Sequence, residues 1–225
     1  MRTADHMNLS RYIMDHMDAG ASKLQKAAFI FGSIEPDINM LTYFRGSIRG
    51  EEKLRGHNYE NVMKYMEKLT KKLEKGGMGT VRQSFLLGKL VHYVADSFTY
   101  PHNSIFSGNL REHCQYETEL HDYVNQMISS DNVNLDSIDD GIDIVEYLEE
   151  IHYRYVSEAL GCENDYRHIT HAISVVTERF WQTERGSVPS MRDVAIACKE
   201  HIPVTANVSM AAAGQTGMDA HTRVA

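Results

Sequence analysis

The chain has 225 residues, of which 42% are hydrophobic, 24% are charged and only four are proline, a composition that excludes a disordered chain and predicts one folded core. The formal net charge of −8 gives no general attraction for the phosphates of nucleic acid, so nucleic acid is a less favoured partner.

The cysteine pattern and the N-terminal segment bear on the compartment. Cys114, Cys162 and Cys198 are odd in number and widely spaced, which favours reduced thiols over a disulfide framework. The opening residues are polar and lack the apolar segment of a secretory signal, and no apolar run is long enough to span a bilayer. We therefore expect a cytoplasmic protein without a transmembrane segment.

Hydrophobic residues recur mostly every three or four positions, which predicts an all-α fold. We expect one multi-helix domain over residues 1–212 and a flexible tail over residues 213–225. About eight helices are predicted, at residues 8–18, 21–33, 58–75, 81–99, 110–129, 141–159, 164–184 and 190–208.

Capping patterns mark the start of two of these helices. Thr80 with Gln83, and Asn109 with Glu112, have the spacing in which a side chain and the residue three positions later bond to each other's free amides. Residues 35–57 show no clear period, and a connection of that length in a helical domain is more often functional than idle.

The segment HYVADSFTYPH contains two histidines and one aspartate. His92 and Asp96 are four residues apart, so on a helix they lie one turn apart on the same face. Pro101 disfavours helical geometry in the residue before it, so the chain must turn there, and His102 can fold back toward that face. The helix dipole disfavours Asp96 near a C-terminus unless a cation is close, and a metal would remove this conflict.

The next predicted helix repeats the pattern in HCQYE, where His113 and Glu117 are again four residues apart. Imidazole nitrogen and carboxylate oxygen suit zinc, and a catalytic zinc site uses three protein ligands and leaves one position for water. A single histidine and carboxylate with this spacing usually do no more than form a hydrogen bond. Five such residues on two helices and the turn between them favour a metal site.

The other histidines are weighed in the same way. His121 precedes Asp122, as in HD-type phosphohydrolases, but that interpretation needs further ligands on other helices. The remaining histidines are interpreted as surface or supporting residues (His16, His152, His201, His221) or as structural residues (His168, His171).

The run from His92 to His102, followed by HCQYE, resembles the zinc-binding signature of the zinc-dependent phospholipase C and single-strand-specific nuclease superfamily. The resemblance implies an all-helical fold, a trinuclear zinc cluster and cleavage of phosphodiesters. It assigns His92 and Asp96 to one zinc, with Asp96 bridging to a neighbouring zinc. His102, His113 and Glu117 would hold a separate zinc.

The resemblance extends toward the N-terminus. It assigns His57, in GHNYEN, to the first zinc, Asp37, in GSIEPDI, to a role as ligand or general base, and His6 to the third zinc. Secreted members use the amino group of an N-terminal tryptophan as a ligand, whereas this chain begins Met-Arg and its only tryptophan is Trp181. We expect the stretch from Met1 to His6 to be flexible, so the third zinc should bind more weakly than the other two.

The activity implied is that of a zinc metallohydrolase with two or three Zn²⁺ per chain, which cleaves a phospholipid between glycerol and phosphate. Zinc lowers the pKa of bound water to about 7, and paired metals stabilise the attacking and departing oxygens. Asp37 would orient or deprotonate the water. Arg45 and Arg49 are candidate phosphate-binding residues, although a solvated loop is at least as good an interpretation.

The expected partner is a phospholipid or another small phosphodiester, reached through transient contact with a membrane surface. One alternative is a nuclease or nucleotidase that uses the same cluster. Another is a helical zinc-binding protein without activity. The sequence does not specify the head group.

Overall fold

The computed structural model describes residues 1–16, 21–44, 56–76, 79–130 and 142–181. Within these ranges the fold is all-α, as predicted, with no strand. The helices are α1 (Thr3–His16), α2 (Lys23–Ile38), a 3₁₀-helix (Met40–Phe44), α3 (Tyr59–Lys75), α4 (Val81–Ser97), a 3₁₀-turn (Tyr100–His102), α5 (Leu110–Ser129), α6 (Ile144–Ser157) and α7 (Cys162–Trp181). The predicted helix at 190–208 and the predicted tail lie outside the described residues.

The first two helices extend beyond their predicted bounds. Helix α1 begins at Thr3, because its first turn buries the polar side chains of Asp5 and His6, which a search for apolar spacing does not register. Helix α2 continues to Ile38 although it contains Pro36. A proline in the last turn removes only one hydrogen bond from a helix that is about to end.

These extensions overturn one expectation, the flexible N-terminal stretch. His6 lies inside α1, and both His6 and Met1 are buried. When a metal binds a ligand on a helix that is already ordered, little conformational entropy is lost. The argument for weaker binding of the third zinc therefore no longer holds.

Helix α4 is at the centre of the fold. Its residues from Leu87 to Ser97 are all buried, and it packs against α1, α2, α3 and α7. A helix that is enclosed on every side normally carries apolar residues all round. The buried His92 and Asp96 on α4 are therefore exceptions that require polar partners or a metal.

Two glycines let α2 approach α4 closely. A Cβ on Gly32 would lie 2.2 Å from the carbonyl oxygen of Phe85, and a Cβ on Gly88 would lie 2.1 Å from that of Phe29. Neither position tolerates a side chain without a shift of backbone. This close approach brings the end of α2 to the polar part of α4.

The capping prediction holds fully for α5 and in part for α4. The Asn109 side chain accepts from the amides of Arg111 and Glu112, and the Glu112 side chain accepts from the Asn109 amide. Thr80 accepts from the amide of Gln83 without the reciprocal bond. None of the helices in the described ranges is both long and apolar enough to cross a bilayer.

Candidate metal centre

The eight side chains predicted as metal ligands meet at one place. Their possible ligand atoms form three sets, each with its atoms within 4.8 Å of one another: His6–His92–Asp96, Asp37–His57–His92 and His102–His113–Glu117. We call the first two sets together the inner cluster (His6, Asp37, His57, His92, Asp96) and the third set the outer group (His102, His113, Glu117).

Asp96 is the centre of the inner cluster, and its two oxygens face different partners. Oδ1 lies 3.1 Å from the amino nitrogen of Met1 and 3.2 Å from Nε2 of His6. Oδ2 lies 3.1 Å from Nδ1 of His57 and 3.3 Å from Nε2 of His92. A carboxylate in this position can bridge two metal ions.

Backbone and hydroxyl groups fix the tautomers of two imidazoles. Nδ1 of His92 lies 2.8 Å from the carbonyl oxygen of Ser33, which can only accept, so Nδ1 carries the hydrogen and Nε2 presents a lone pair to the cluster. The Thr42 hydroxyl lies within 2.7 Å of two backbone carbonyl oxygens and donates its one hydrogen there. Thr42 therefore accepts from Nε2 of His57 at 3.1 Å, and Nδ1 of His57 presents a lone pair.

These tautomers leave acceptors facing one another. Nδ1 of His57 and Nε2 of His92 are 3.3 Å apart, both beside an oxygen of Asp96, with no hydrogen available between them. Asp37 Oδ1 lies 3.7 Å from both nitrogens, and Asp37 Oδ2 is buried without a hydrogen-bond partner. Such a concentration of lone pairs and negative charge repels itself unless a cation lies among them, and the donor types suit zinc.

The protonation states within the inner cluster agree with this requirement. Burial lowers the pKa of His6 and of His57, so both imidazoles are neutral near pH 7. Burial opposes the ionisation of Asp96, but the positive charges beside it, first that of the Met1 amino group and then that of His102, outweigh it and hold the pKa of Asp96 well below its usual range. Neutral imidazole and ionised carboxylate are the forms that bind metal.

The outer group is less enclosed. Oε1 of Glu117 lies 3.3 Å from Nε2 of His113 and 3.5 Å from Nε2 of His102. The side chains of His113 and Glu117 are 26% and 18% exposed, whereas those of His92 and Asp96 are 0% and 1% exposed. Two imidazoles and one carboxylate form a ligand set of the catalytic zinc type.

A positive charge already lies between the two groups. The amino nitrogen of Met1 is 3.1 Å from Asp96 and 3.1 Å from Glu117. Burial disfavours this ammonium, but the charges of Asp96, Glu117 and Asp37 raise its pKa to about 11. The space between the carboxylates thus strongly favours a cation.

A cavity of about 570 Å³ opens onto both parts of the centre. Its wall includes Asp37 and His57 from the inner cluster and the whole outer group. Tyr43 also lines it and stacks on His57, with the ring centroids 4.5 Å apart. A small substrate can therefore reach ligands of both parts at once.

The zinc dependent phospholipase C family model matches residues 5–162, about 70% of the chain, and all eight predicted ligands lie inside that match. The chain belongs to this family. The resemblance inferred from the sequence is confirmed. No curated protein and no solved structure matches the chain.

Sequence reasoning missed much of what supports the candidate ligands. His152 is buried and donates from Nε2 to Oδ1 of Asn103 at 2.7 Å. The Asn103 amide donates to the carbonyl oxygens of Ser97 and Thr99, at 3.2 and 2.9 Å. This network fixes the turn that carries His102. The roles of Ser33, Thr42 and Asn103 involve backbone carbonyls or long-range contacts, for which the sequence offers no signal.

His121 is not among the residues of the three sets. Its Nδ1 lies 2.5 Å from Oδ1 of the buried Asp5, and this pair joins α5 to α1. The HD-type interpretation therefore finds no ligand set around His121 in the part of the chain that is described. His168 bonds to Glu158 at 2.9 Å and His171 to Tyr147 at 2.6 Å, both between structural elements.

The remaining candidate residues cannot be placed. Arg45, Arg49, His201 and His221 lie outside the described residues. The two arginines stay a prediction from the sequence.

Proposed function

We propose that this protein is a zinc-dependent phosphodiester hydrolase of the phospholipase C type, with two or three Zn²⁺ per chain. The observation that carries the proposal is the mutual approach of the His57 and His92 lone pairs and the Asp96 carboxylate, which needs a cation in its midst. Family membership makes zinc the natural choice.

The proposed ligand sets follow the two faces of Asp96. On the Oδ2 side, His57, His92 and Asp37 would hold one ion. On the Oδ1 side, His6 and Asp96 would hold a second. The outer group would hold a separate ion.

A bound zinc ion supplies Lewis acidity and lowers the pKa of water at the site. The protein's own part is positional. Asp37 keeps Oδ1 toward the imidazoles while Oδ2, which has no hydrogen-bond partner, is available to orient a water molecule and accept its proton. Ser33 and Thr42 hold His92 and His57 in the tautomers whose lone pairs face the cluster, so these imidazoles would bind the metal while Asp37 accepts the proton.

We propose a phospholipid as the substrate, cleaved between glycerol and phosphate. Ile38 directly follows Asp37, and Leu110 lines the cavity; these side chains are 58% and 78% exposed. Met40 and Leu41 are also exposed, at 67% and 78%. Exposed apolar residues beside a site suit a lipid surface, and the net charge of −8 does not favour nucleic acid.

A substrate comparison at equal zinc and salt tests the proposal. Zinc-loaded protein is incubated with phosphatidylcholine vesicles, with a soluble chromogenic phosphocholine ester and with single-stranded DNA. We expect release of diacylglycerol and phosphocholine from the vesicles, and faster cleavage of both phosphocholine substrates than of DNA. Asp37→Asn, which keeps the size of the side chain but removes the proton acceptor, should lose this activity.

The other outcomes decide between the alternatives. Faster cleavage of DNA would replace the proposal with a nuclease. Bound zinc without turnover of any of the three substrates would favour a zinc-binding protein without activity.

A further inference from the structure

Asp165, on α7, is a fully buried carboxylate outside the metal centre. It accepts three hydrogen bonds: from the backbone N–H of Tyr100 at 2.8 Å, from the hydroxyl of Tyr116 at 2.9 Å and from the hydroxyl of Tyr155 at 2.8 Å. The donors come from the turn after α4, from α5 and from α6. One side chain therefore joins three separate elements to α7.

Two of these contacts end beside the outer group. Tyr100 begins the 3₁₀-turn that ends at His102. Tyr116 directly precedes Glu117 and lies three residues after His113 on α5. Neighbouring residues on a helix point about 100° apart, so fixing Tyr116 against α7 also fixes the direction in which Glu117 points.

The ion pairs in the described ranges include no partner for Asp165, so the carboxylate is buried at a cost. Burial raises the pKa of Asp165 to about 6 against the effect of its three hydrogen bonds. An apolar residue of similar size would leave the N–H of Tyr100 and the hydroxyls of Tyr116 and Tyr155 without this acceptor. A buried carboxylate that joins three elements to a fourth suggests a role in fixing one arrangement of the elements around it.

The family match ends at residue 162, so Asp165 lies beyond it, although all eight candidate ligands lie within it. The restraint on the outer group thus comes from a helix that supplies no candidate ligand itself.

We propose that Asp165 is the positioning residue of the outer group: it holds the turn with His102 and the helix with His113 and Glu117 at the separation that one metal ion requires. This inference rests on the proposed function, in which the outer group binds zinc.

The first test compares Asp165→Asn with Asp143→Ala. The amide of asparagine keeps the shape of the side chain, but its NH₂ group would face the N–H and O–H groups that donate to Asp165. Asp143 caps α6 through the amides of Val145 and Glu146, so its loss should lower the melting temperature without removing a contact of the turn or of α5. Zinc affinity is measured by competition with a chromophoric chelator, and melting temperature is recorded for each variant.

We expect Asp165→Asn to lower the affinity for one zinc ion by about tenfold or more and to leave the affinity for the others unchanged. Tenfold is the lower end of the effect of residues that support metal ligands. Asp143→Ala should melt earlier with every zinc affinity intact. If both variants lower the melting temperature and neither changes a zinc affinity, Asp165 is only structural and the inference is wrong.

A second pair removes single hydroxyls and keeps the carboxylate. Tyr116→Phe releases α5 from Asp165, whereas Tyr155→Phe releases α6. Only Tyr116→Phe should weaken the zinc of the outer group. Equal zinc affinities in the two variants would contradict the inference even if Asp165→Asn does not fold.

Hydrogen exchange on metal-free protein separates this inference from the proposed function. The Tyr100 amide should exchange at least about tenfold faster in Asp165→Asn than in the wild type, while Tyr155→Phe keeps it protected. An unchanged rate would overturn the positioning role whatever the metal content. Wild-type protein that binds no zinc would overturn the proposed function, and the restraint on the turn would then serve no metal.

Discussion

The inner cluster lies deep between α1, α2 and α4, whereas the outer group lies at the mouth of the cavity on a turn and on α5. Both consist of imidazoles and carboxylates, but the inner ligands have their supports within bonding distance: the Ser33 carbonyl for His92 and the Thr42 hydroxyl for His57. The candidate ligands of the outer group have supports that are further away. Asn103 and, as we propose, Asp165 act on these ligands through the backbone. Burial and direct hydrogen bonds thus fix the inner cluster, whereas the turn of the outer group is held by hydrogen bonds to its backbone.

Replacement of Asp96 should produce the largest effect, because its oxygens contact both sides of the inner cluster and one of them lies 3.4 Å from His102 of the outer group. Asp96→Asn should lose most bound zinc and reduce turnover by at least about 100-fold, the upper limit for residues behind the ligands. Elemental analysis and activity on a soluble ester measure both. The matched control Glu150→Gln changes a carboxylate that is 70% exposed and should change neither. Full metal and turnover in Asp96→Asn would remove the central assignment.

Thr42→Val tests the inner half alone. Valine keeps the shape but removes the acceptor for Nε2 of His57, so this imidazole loses its fixed tautomer. We expect zinc affinity on the inner side to fall about 10- to 100-fold, with the outer ion unchanged. A uniform loss of all ions would show that the two halves do not respond separately. Thr118→Val, on the exposed side of α5, serves as the control.

A pH titration of metal-free protein tests the scaffold behind the outer half. Burial lowers the pKa of His152 to about 4 from its usual 6.5, so the folded state keeps the imidazole neutral. As the pH falls below 6.5, the unfolded chain takes up a proton that the folded chain refuses, and stability is lost. At pH 5 this amounts to about 2 kcal/mol relative to pH 7.5.

The check is denaturant unfolding of the wild type and of His152→Gln at both pH values. Glutamine can still donate to Asn103 but does not titrate. The variant should lose about 2 kcal/mol less than the wild type between pH 7.5 and pH 5. An identical loss in both proteins would mean that His152 is protonated in the folded state.

The smallest effect is expected at the rim of the cavity. Leu110→Ser shortens an apolar side chain that lines the cavity and is 78% exposed. Hydrolysis of vesicles should fall by up to about tenfold, as expected from partial burial of a leucine in lipid. Hydrolysis of the soluble ester should stay the same. Equal losses on both substrates would argue against a lipid-facing rim.

The sequence predicted which side chains meet at the centre better than it predicted their surroundings. The four-residue spacing of His92 with Asp96 and of His113 with Glu117 carries directly into one helix face each, so these pairs could be read from the chain. His6 and Asp37 came from the resemblance alone, and their helices were predicted too short because their burial follows from polar contacts rather than apolar spacing.

The supports could not be predicted, since a backbone carbonyl such as that of Ser33 has no sequence signature. His152 was given a surface or supporting role, and only its stacking on Tyr59, with ring centroids 3.4 Å apart, and its bond to Asn103 show that it belongs inside. A histidine amid polar residues carries no local sign of the partners that distant helices bring to it.

The most direct test of the central claim is the zinc content of each chain, measured by elemental analysis on protein purified without chelator. The lone pairs and carboxylates of the inner cluster, together with the outer group, predict two or three zinc ions per chain in the wild type. Protein that contains less than about one ion per chain, and takes up none when zinc is added, would contradict the account.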